Sequence, residues 1–218
     1  MSSKNVKALL FGEFARVSKA LGSGNRLELL EFLAQGERSV DTLARLSGLS
    51  VANTSRHLQV LRQAGLVTAR KEGLFVFYSV SGPGVIKLLA SLQEVAQHNI
   101  AEVTRLIDTY LTSKDSLEAV STSELMDRLR SGLVTVVDVR PKEEYAAGHL
   151  PGAINIPLAE LDTSFKKLPR NRQIVAYCRG PFCLLSFEAV ARLRDKGLKA
   201  RRLETGFPEW KIAGLPVE

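Results

Sequence analysis

Two hydrophobic rhythms divide this chain of 218 residues. Up to about residue 112 the apolar positions recur at helical spacing. Beyond it, short apolar runs such as LVTVVDV and QIVAY alternate with helical stretches, as strands and helices do in an α/β layer fold. The segment between them, TSKDSLEAVST at 112–122, is polar and follows a long helical pattern. The reading is therefore two domains, 1–111 mainly helical and 121–218 α/β, joined by a linker at 112–120.

In the first half, two short helical patterns at 40–47 and 51–64 are joined by GLS, which is helix-turn-helix spacing. Ser50 is placed to cap the second helix, and Val51, Thr54, Leu58 and Leu61 form one stripe that should face the core. The opposite face then presents Ala52, Asn53, Arg56, Gln59 and Gln63, with Ser55 and His57 on its flanks. Asn and Arg match adenine and guanine edges, and the N-terminal residues of such a helix reach the major groove. LVTARKEGLFVFYSV follows, two strand-like runs around the turn pair Glu72-Gly73, with Arg70 and Lys71 beside its tip. A helix-turn-helix followed by a basic hairpin is a winged helix, whose wing commonly touches phosphate. Any one of Arg56, Arg70 and Lys71 alone would read as a solvated surface cation. The ordered set points to double-stranded DNA as partner, with Ser50, Asn53, Ser55, Arg56, His57, Gln59, Arg70 and Lys71 as its contacts. Farther on, Val85, Leu89, Leu92, Ala96, Ile100, Val103, Ile107 and Tyr110 continue one helical stripe. A helix that long carries more apolar face than a small domain covers, which predicts a two-fold partner.

SRHLQVLRQAGLV and the wing after it resemble the ArsR/SmtB family of bacterial winged-helix repressors, over residues 10–110. The resemblance implies a homodimeric repressor on an operator, with the first and last helices at the dimer interface. Many relatives sense metals through cysteines ahead of the recognition helix or through His and carboxylates in the last helix. Here the first position reads ERSVDTL without a thiol, and the last helix has one imidazole, His98, near Glu102 and Asp108. A zinc site wants three or four ligands, so neither a metal site nor a cofactor is expected.

The second half holds both cysteines, in VAYCRGPFCLLSFEAV at 175–190. A cysteine after a strand and before a helix sits where backbone N–H groups and the helix dipole favour an anion, and Arg179 adds positive potential. Cys178 is expected to be an accessible thiolate, since the flanking Arg-Gly-Pro argues against burial; an inert buried cysteine is the plain alternative. TVVDVRPKEEYAAGHLPGAINIP resembles the opening signature of rhodanese domains and ETGFPEW the closing one, with Cys178 where such a domain carries its catalytic cysteine. The resemblance covers about residues 120–217 and implies a parallel sheet and a persulfide on Cys178. Donors would be thiosulfate, polysulfide or a low-molecular-weight persulfide. Asp138, Arg140, Glu144 and His149 are read as scaffold rather than acid/base groups. Leu184 stands six residues after Cys178, where a phosphatase or arsenate reductase needs its arginine clamp, which disfavours that chemistry. Cys183, five residues from Cys178, is within disulfide reach on a loop and would resolve the persulfide, or else merely pack at the helix start.

Composition narrows the rest. The net charge of +7 and pI near 9.6 permit a polyanionic partner without locating it. No apolar run approaches the roughly 18 residues a membrane span requires, and the charged amphipathic N-terminus is unlike a secretory signal, so a cytoplasmic, non-membrane protein is expected. Three functions remain open: a repressor whose rhodanese domain senses or processes reactive sulfur, a working sulfurtransferase with separately controlled DNA binding, and a DNA-binding protein whose rhodanese domain is only an interaction surface.

Overall fold

The computed structural model describes residues 3–112 and 118–218, so the expected linker at 112–120 lies largely outside the described residues. The chain forms two compact units, 1–89 and 90–218.

The first unit opens with α1 (Ser3–Leu21) and α2 (Gly24–Ala34), followed by the short strand β1 (Arg38–Ser39). Then come α3 (Val40–Ser47) and α4 (Val51–Gln63). Each of the latter two begins where a serine supplies a side-chain acceptor: Ser39 Oγ accepts from the Thr42 amide at 3.2 Å and Ser50 Oγ from the Asn53 amide at 3.3 Å. The turn between them depends on Gly48, whose φ of 68° ends α3 in a left-handed conformation that side chains disfavour. The wing is an antiparallel hairpin of β2 (Val67–Glu72) and β3 (Phe75–Val80), and β1 pairs with the far edge of β3. Glu72 pairs with Phe75, so the turn residues are Gly73 and Leu74, one position later than expected. Gly73, at φ 58°, takes the positive φ that a tight hairpin demands. Leu29, Leu30, Leu33, Leu43, Leu58 and Leu61 form the centre of this core, all at most 1% exposed.

The apolar stripe from Val85 onward does not form one helix. It runs as α5 (Pro83–Asn99), breaks at Ile100, and resumes as α6 (Ala101–Leu106), ending in a π-helical turn at 107–112. At the break Thr104 Oγ1 donates to the Gln97 carbonyl at 3.1 Å, the acceptor that a continuous helix would give to the Ala101 amide, while Asn99 Nδ2 donates to the Val95 carbonyl at 2.8 Å. Among the described residues Val6, Leu9, Leu10, Phe11 and Phe14 of α1 and Leu88, Leu92 and Val95 of α5 are exposed apolar side chains.

In the second unit α7 (Thr122–Arg130), capped by Ser121, leads into β4 (Val134–Asp138), α8 (Lys142–Ala146) and β5 (Ile154–Asn155). A 3₁₀ turn and α9 (Leu161–Ser164) precede β6 (Gln173–Tyr177), α10 (Leu184–Asp195), β7 (Ala200–Arg202) and α11 (Phe207–Ile212). The strands form a parallel sheet in the order β5-β4-β6-β7. In β6, Ile174, Val175, Ala176 and Tyr177 are all fully buried, the continuous apolar run of a parallel strand covered on both faces. The sheet thereby delivers the carboxyl end of its inner strand β6 to the point where the chain turns at Cys178.

Candidate functional sites

On α4 the expected division of faces is present. Asn53, Arg56, Gln59 and Gln63 are exposed and Ser55 and His57 half-buried, while Thr54, Leu58 and Leu61 are completely buried. Val51 departs from its expected place in the stripe, being 49% exposed. As the first residue of the helix it projects back past the end of the packed turn, and the stripe begins instead at Thr54, whose hydroxyl donates to the Ser50 carbonyl at 3.0 Å.

The two wing cations differ. Arg70 donates to Glu37 Oε2 at 2.7 Å and is paired also with Glu72, and its guanidinium lies 5.1 Å from the Phe77 ring centroid. The guanidinium in turn holds the Glu37 carboxyl below the usual carboxylate range. Its fork is thus committed to tying the hairpin to the segment before β1, whereas Lys71 is exposed and makes no ion pair among the described residues.

Cys178 follows β6 directly, and Cys183 is the N-cap of α10. The two are joined by a disulfide, with Cα atoms 6.2 Å apart. The expectation of an accessible Cys178 is corrected: it is 1% exposed, Cys183 8%, and both belong to the cluster of Val137, Ile156, Ala189 and Leu193. Both side chains therefore lie within the apolar layer of the domain.

The expected contribution of Arg179 also changes. Its guanidinium forms a forked pair with Glu144 of α8, Nη2 to Oε1 at 2.7 Å and Nε to Oε2 at 3.0 Å, the Glu144 side chain being 3% exposed. Backbone donors are fewer than a six-residue loop suggests. Pro181 has no amide hydrogen, the Cys183 amide is given to Gly180 O at 3.2 Å, and the Ser186 amide to Cys183 O at 3.2 Å.

The closing segment fixes this loop from the other side. The Phe207 amide donates to Cys178 O at 3.1 Å, and Gly206 lies so close that a Cβ on it would stand 2.3 Å from Gly180 N and 2.4 Å from Arg179 C. Only glycine permits that approach. Glu209, whose carboxyl is pushed up by burial, accepts from the Gly206 amide at 2.9 Å. Gly206 was legible only as part of a motif; its steric role follows from this contact.

Asp138, Arg140 and His149 serve the scaffold, as read from the sequence. Arg140 donates from Nη2 to Asp138 Oδ2 at 2.6 Å, from Nε to Oδ1 at 3.0 Å and from its own amide to Oδ1 at 2.9 Å, with both side chains fully buried. Tyr177 donates its hydroxyl to Asp138 and accepts from the Leu150 amide at 3.1 Å; burial, with the Asp138 charge beside it, holds that phenol well above its ordinary range. The His149 ring stacks on Tyr145 at 3.7 Å.

A winged helix-turn-helix domain and a rhodanese-like domain are thus joined in one chain. Comparison with known families agrees: residues 23–69 match the bacterial regulatory protein, arsR family, and residues 121–213 the rhodanese-like domain. The chain is 46% identical over 212 residues, 97% of its own length and 93% of the relative's, to the HTH-type transcriptional regulator Rv0324 of Mycobacterium tuberculosis. Its rhodanese-like half is 48% identical over 104 residues, 42% of this chain and 90% of the relative, to the human thiosulfate:glutathione sulfurtransferase. Among solved structures, a homodimeric winged helix-turn-helix DNA-binding domain from Mycobacterium bovis is 42% identical, with a TM-score of 0.42, covering 46% of this chain and 91% of that one. The chain belongs to the arsR-type HTH transcriptional regulators that carry a C-terminal rhodanese-like domain. No helix of the described residues is long and apolar enough to cross a membrane.

Proposed function

We propose that this regulator is a homodimeric repressor that binds operator DNA through α4 and Lys71, and that its rhodanese-like domain reports reactive sulfur through Cys178 and Cys183. The observation that carries the reading is the pairing of Cys178 with Cys183 directly after the inner strand β6. The reduced Cys178 thiolate attacks the outer sulfur of a persulfide or polysulfide, expelling the donor's thiolate or shortened polysulfide and leaving Cys178–S–SH. The Cys183 thiolate then attacks the Cys178 sulfur and expels HS⁻. Two thiols are oxidised to a disulfide and one sulfane sulfur is reduced to sulfide, so electrons balance without another oxidant. The exposed apolar side chains of α1 and α5 support the two-fold partner.

Anaerobic titration of reduced protein onto operator DNA, with and without polysulfide, tests this. Operator affinity is expected to change on sulfur treatment and return with dithiothreitol; identical curves would end the sensor reading. Mass spectrometry of Cys178→Ser after the same treatment should find no retained sulfur. A second reading, turnover as a sulfurtransferase, is supported by the similarity to the human thiosulfate:glutathione enzyme. Steady release of sulfite from thiosulfate with glutathione as acceptor would favour it.

The DNA half makes a separate prediction. Arg56→Ala should weaken operator binding by about 1–3 kcal/mol while the dimer persists. Lys71→Ala should lower the slope of log affinity against log salt by about one. Arg70→Ala should lower it by less, because that side chain is already paired with Glu37 and Glu72. Filter binding or fluorescence anisotropy across a salt series reads all three; an Arg70 slope loss as large as that of Lys71 would show that the wing's ion pairs open on DNA.

A further inference from the structure

Glu144 and Arg179 lie 35 residues apart in sequence, yet their charges join α8 to the loop that carries Cys178. The cation nearest Cys178 in the chain thus meets a full negative charge at 2.7 Å, in a place where the two side chains are 14% and 3% exposed. Little water screens such a pair, so each charge has a long electrostatic reach once the other is removed. Other charged groups of this domain keep their own contacts: Arg140 is paired with Asp138 at the end of β4 and feels Glu144 as well, Glu209 accepts from the Gly206 amide, and Arg202 of β7 lies over the Phe187 ring of α10 at 4.4 Å. With Pro181 and Cys183 offering no uncommitted amide, the pair of Glu144 and Arg179 is a charge contact that an element outside the loop makes with the residue next to Cys178.

We infer that Glu144 is a positioning residue that holds Arg179 against α8, cancels its charge, and so keeps reduced Cys178 a less acidic thiol than a bare neighbouring arginine would make it. The inference rests on Cys178 being the reactive thiol of the proposed function. It gives the domain a restrained nucleophile, one whose thiolate fraction near neutral pH is held down by a neighbour outside the loop.

The test is a charge cycle in the full-length protein. Cys183→Ser serves as background, so that alkylation under reducing, anaerobic conditions reads Cys178 alone. The pH at which the iodoacetamide rate reaches half its plateau is measured for that background and, within it, for Glu144→Gln, Arg179→Gln and the double variant. The midpoint should fall by about one pH unit in Glu144→Gln, rise by about as much in Arg179→Gln, and return close to the background value in the double variant. Thermal melts followed by Trp210 fluorescence identify folded samples. Should Glu144→Gln not fold, the rise in Arg179→Gln and its reversal in the double variant carry the same test. Coincident midpoints in the folded variants, or a rise in Glu144→Gln, would overturn the assignment, since a purely structural ion pair changes the melt and leaves the midpoint alone. Sulfur uptake by mass spectrometry on the same samples reports the persulfide reading independently, so the failure of either is recognised by itself.

Discussion

Asp138→Ala is expected to destabilise the rhodanese-like domain by about 3–5 kcal/mol, the usual cost of removing one partner from a buried ion pair. The size follows from what is stranded. Arg140 is fully buried, and Asp138 accepts from its Nη2, its Nε and its own amide, and from the Tyr177 hydroxyl. Alanine removes the forked ion pair, and among the contacts that stay the Gly148 carbonyl at 2.8 Å and the faces of Phe207 and Tyr177, 4.3 and 5.5 Å from the guanidinium centre, are uncharged, while Glu144 acts on it only through longer-range attraction. Neither ring nor carbonyl supplies the missing negative charge. The chain's single tryptophan, Trp210, is 1% exposed in this same domain. Its fluorescence during urea unfolding therefore reports this unit and not the DNA-binding one. Asp138→Leu combined with Arg140→Met removes both charges and should lose less than Asp138→Ala alone. A loss below about 1 kcal/mol in the single variant, within the range of an exposed pair, would show that the buried network does not hold the fold.

How far the sequence discloses this molecule depends on the range of the interaction in question. Helices expected at 40–47 and 51–64 appear as Val40–Ser47 and Val51–Gln63, because capping by Ser39 and Ser50 and the stop at Gly48 are local events written in neighbouring residues. The exposed row Asn53, Arg56 and Gln59 follows from helical period alone. Errors arise where side chains compete with the backbone or act across the fold. Thr104 occupies the Gln97 carbonyl where the helix divides, although the apolar period continues undisturbed through Ile100. The hairpin turn shifts by one residue because pairing of Glu72 with Phe75 leaves Gly73, the residue able to take positive φ, at the first turn position. At the cysteine loop the motif located the residues but not their environment. Arg179 reads from the sequence as a charge for the sulfur, but it is paired with Glu144 from α8; Arg-Gly-Pro reads as solvent-facing, but both cysteines are buried. Gly206 belonged to a quoted signature, yet nothing in its sequence neighbourhood announces that it touches the peptide between Arg179 and Gly180.

Cys183→Ser should still accept sulfur on Cys178 but lose the response on DNA, and this prediction separates the two chemical forms that could carry a signal. A ligand or modification shifts a conformational equilibrium only by the difference in its free energy between the two states. Converting a Cys178 thiolate to a persulfide anion keeps the charge and lengthens one side chain by a single sulfur. Closing the bond to Cys183 removes charge from the loop and ties the end of β6 to the N-cap of α10, while both cysteines are 8% exposed or less. The second event restrains backbone; the first does not. The parent protein is therefore expected to change its operator affinity by about 1–3 kcal/mol when treated anaerobically with polysulfide. Under the same treatment Cys183→Ser should gain the mass of one sulfur on the peptide containing Cys178 and bind DNA as its untreated form does. Fluorescence anisotropy titrations paired with mass spectrometry of the same samples provide both readings. If Cys183→Ser responds on DNA as fully as the parent, the persulfide itself is the signal, and Cys183 is left with capping and packing at the start of α10.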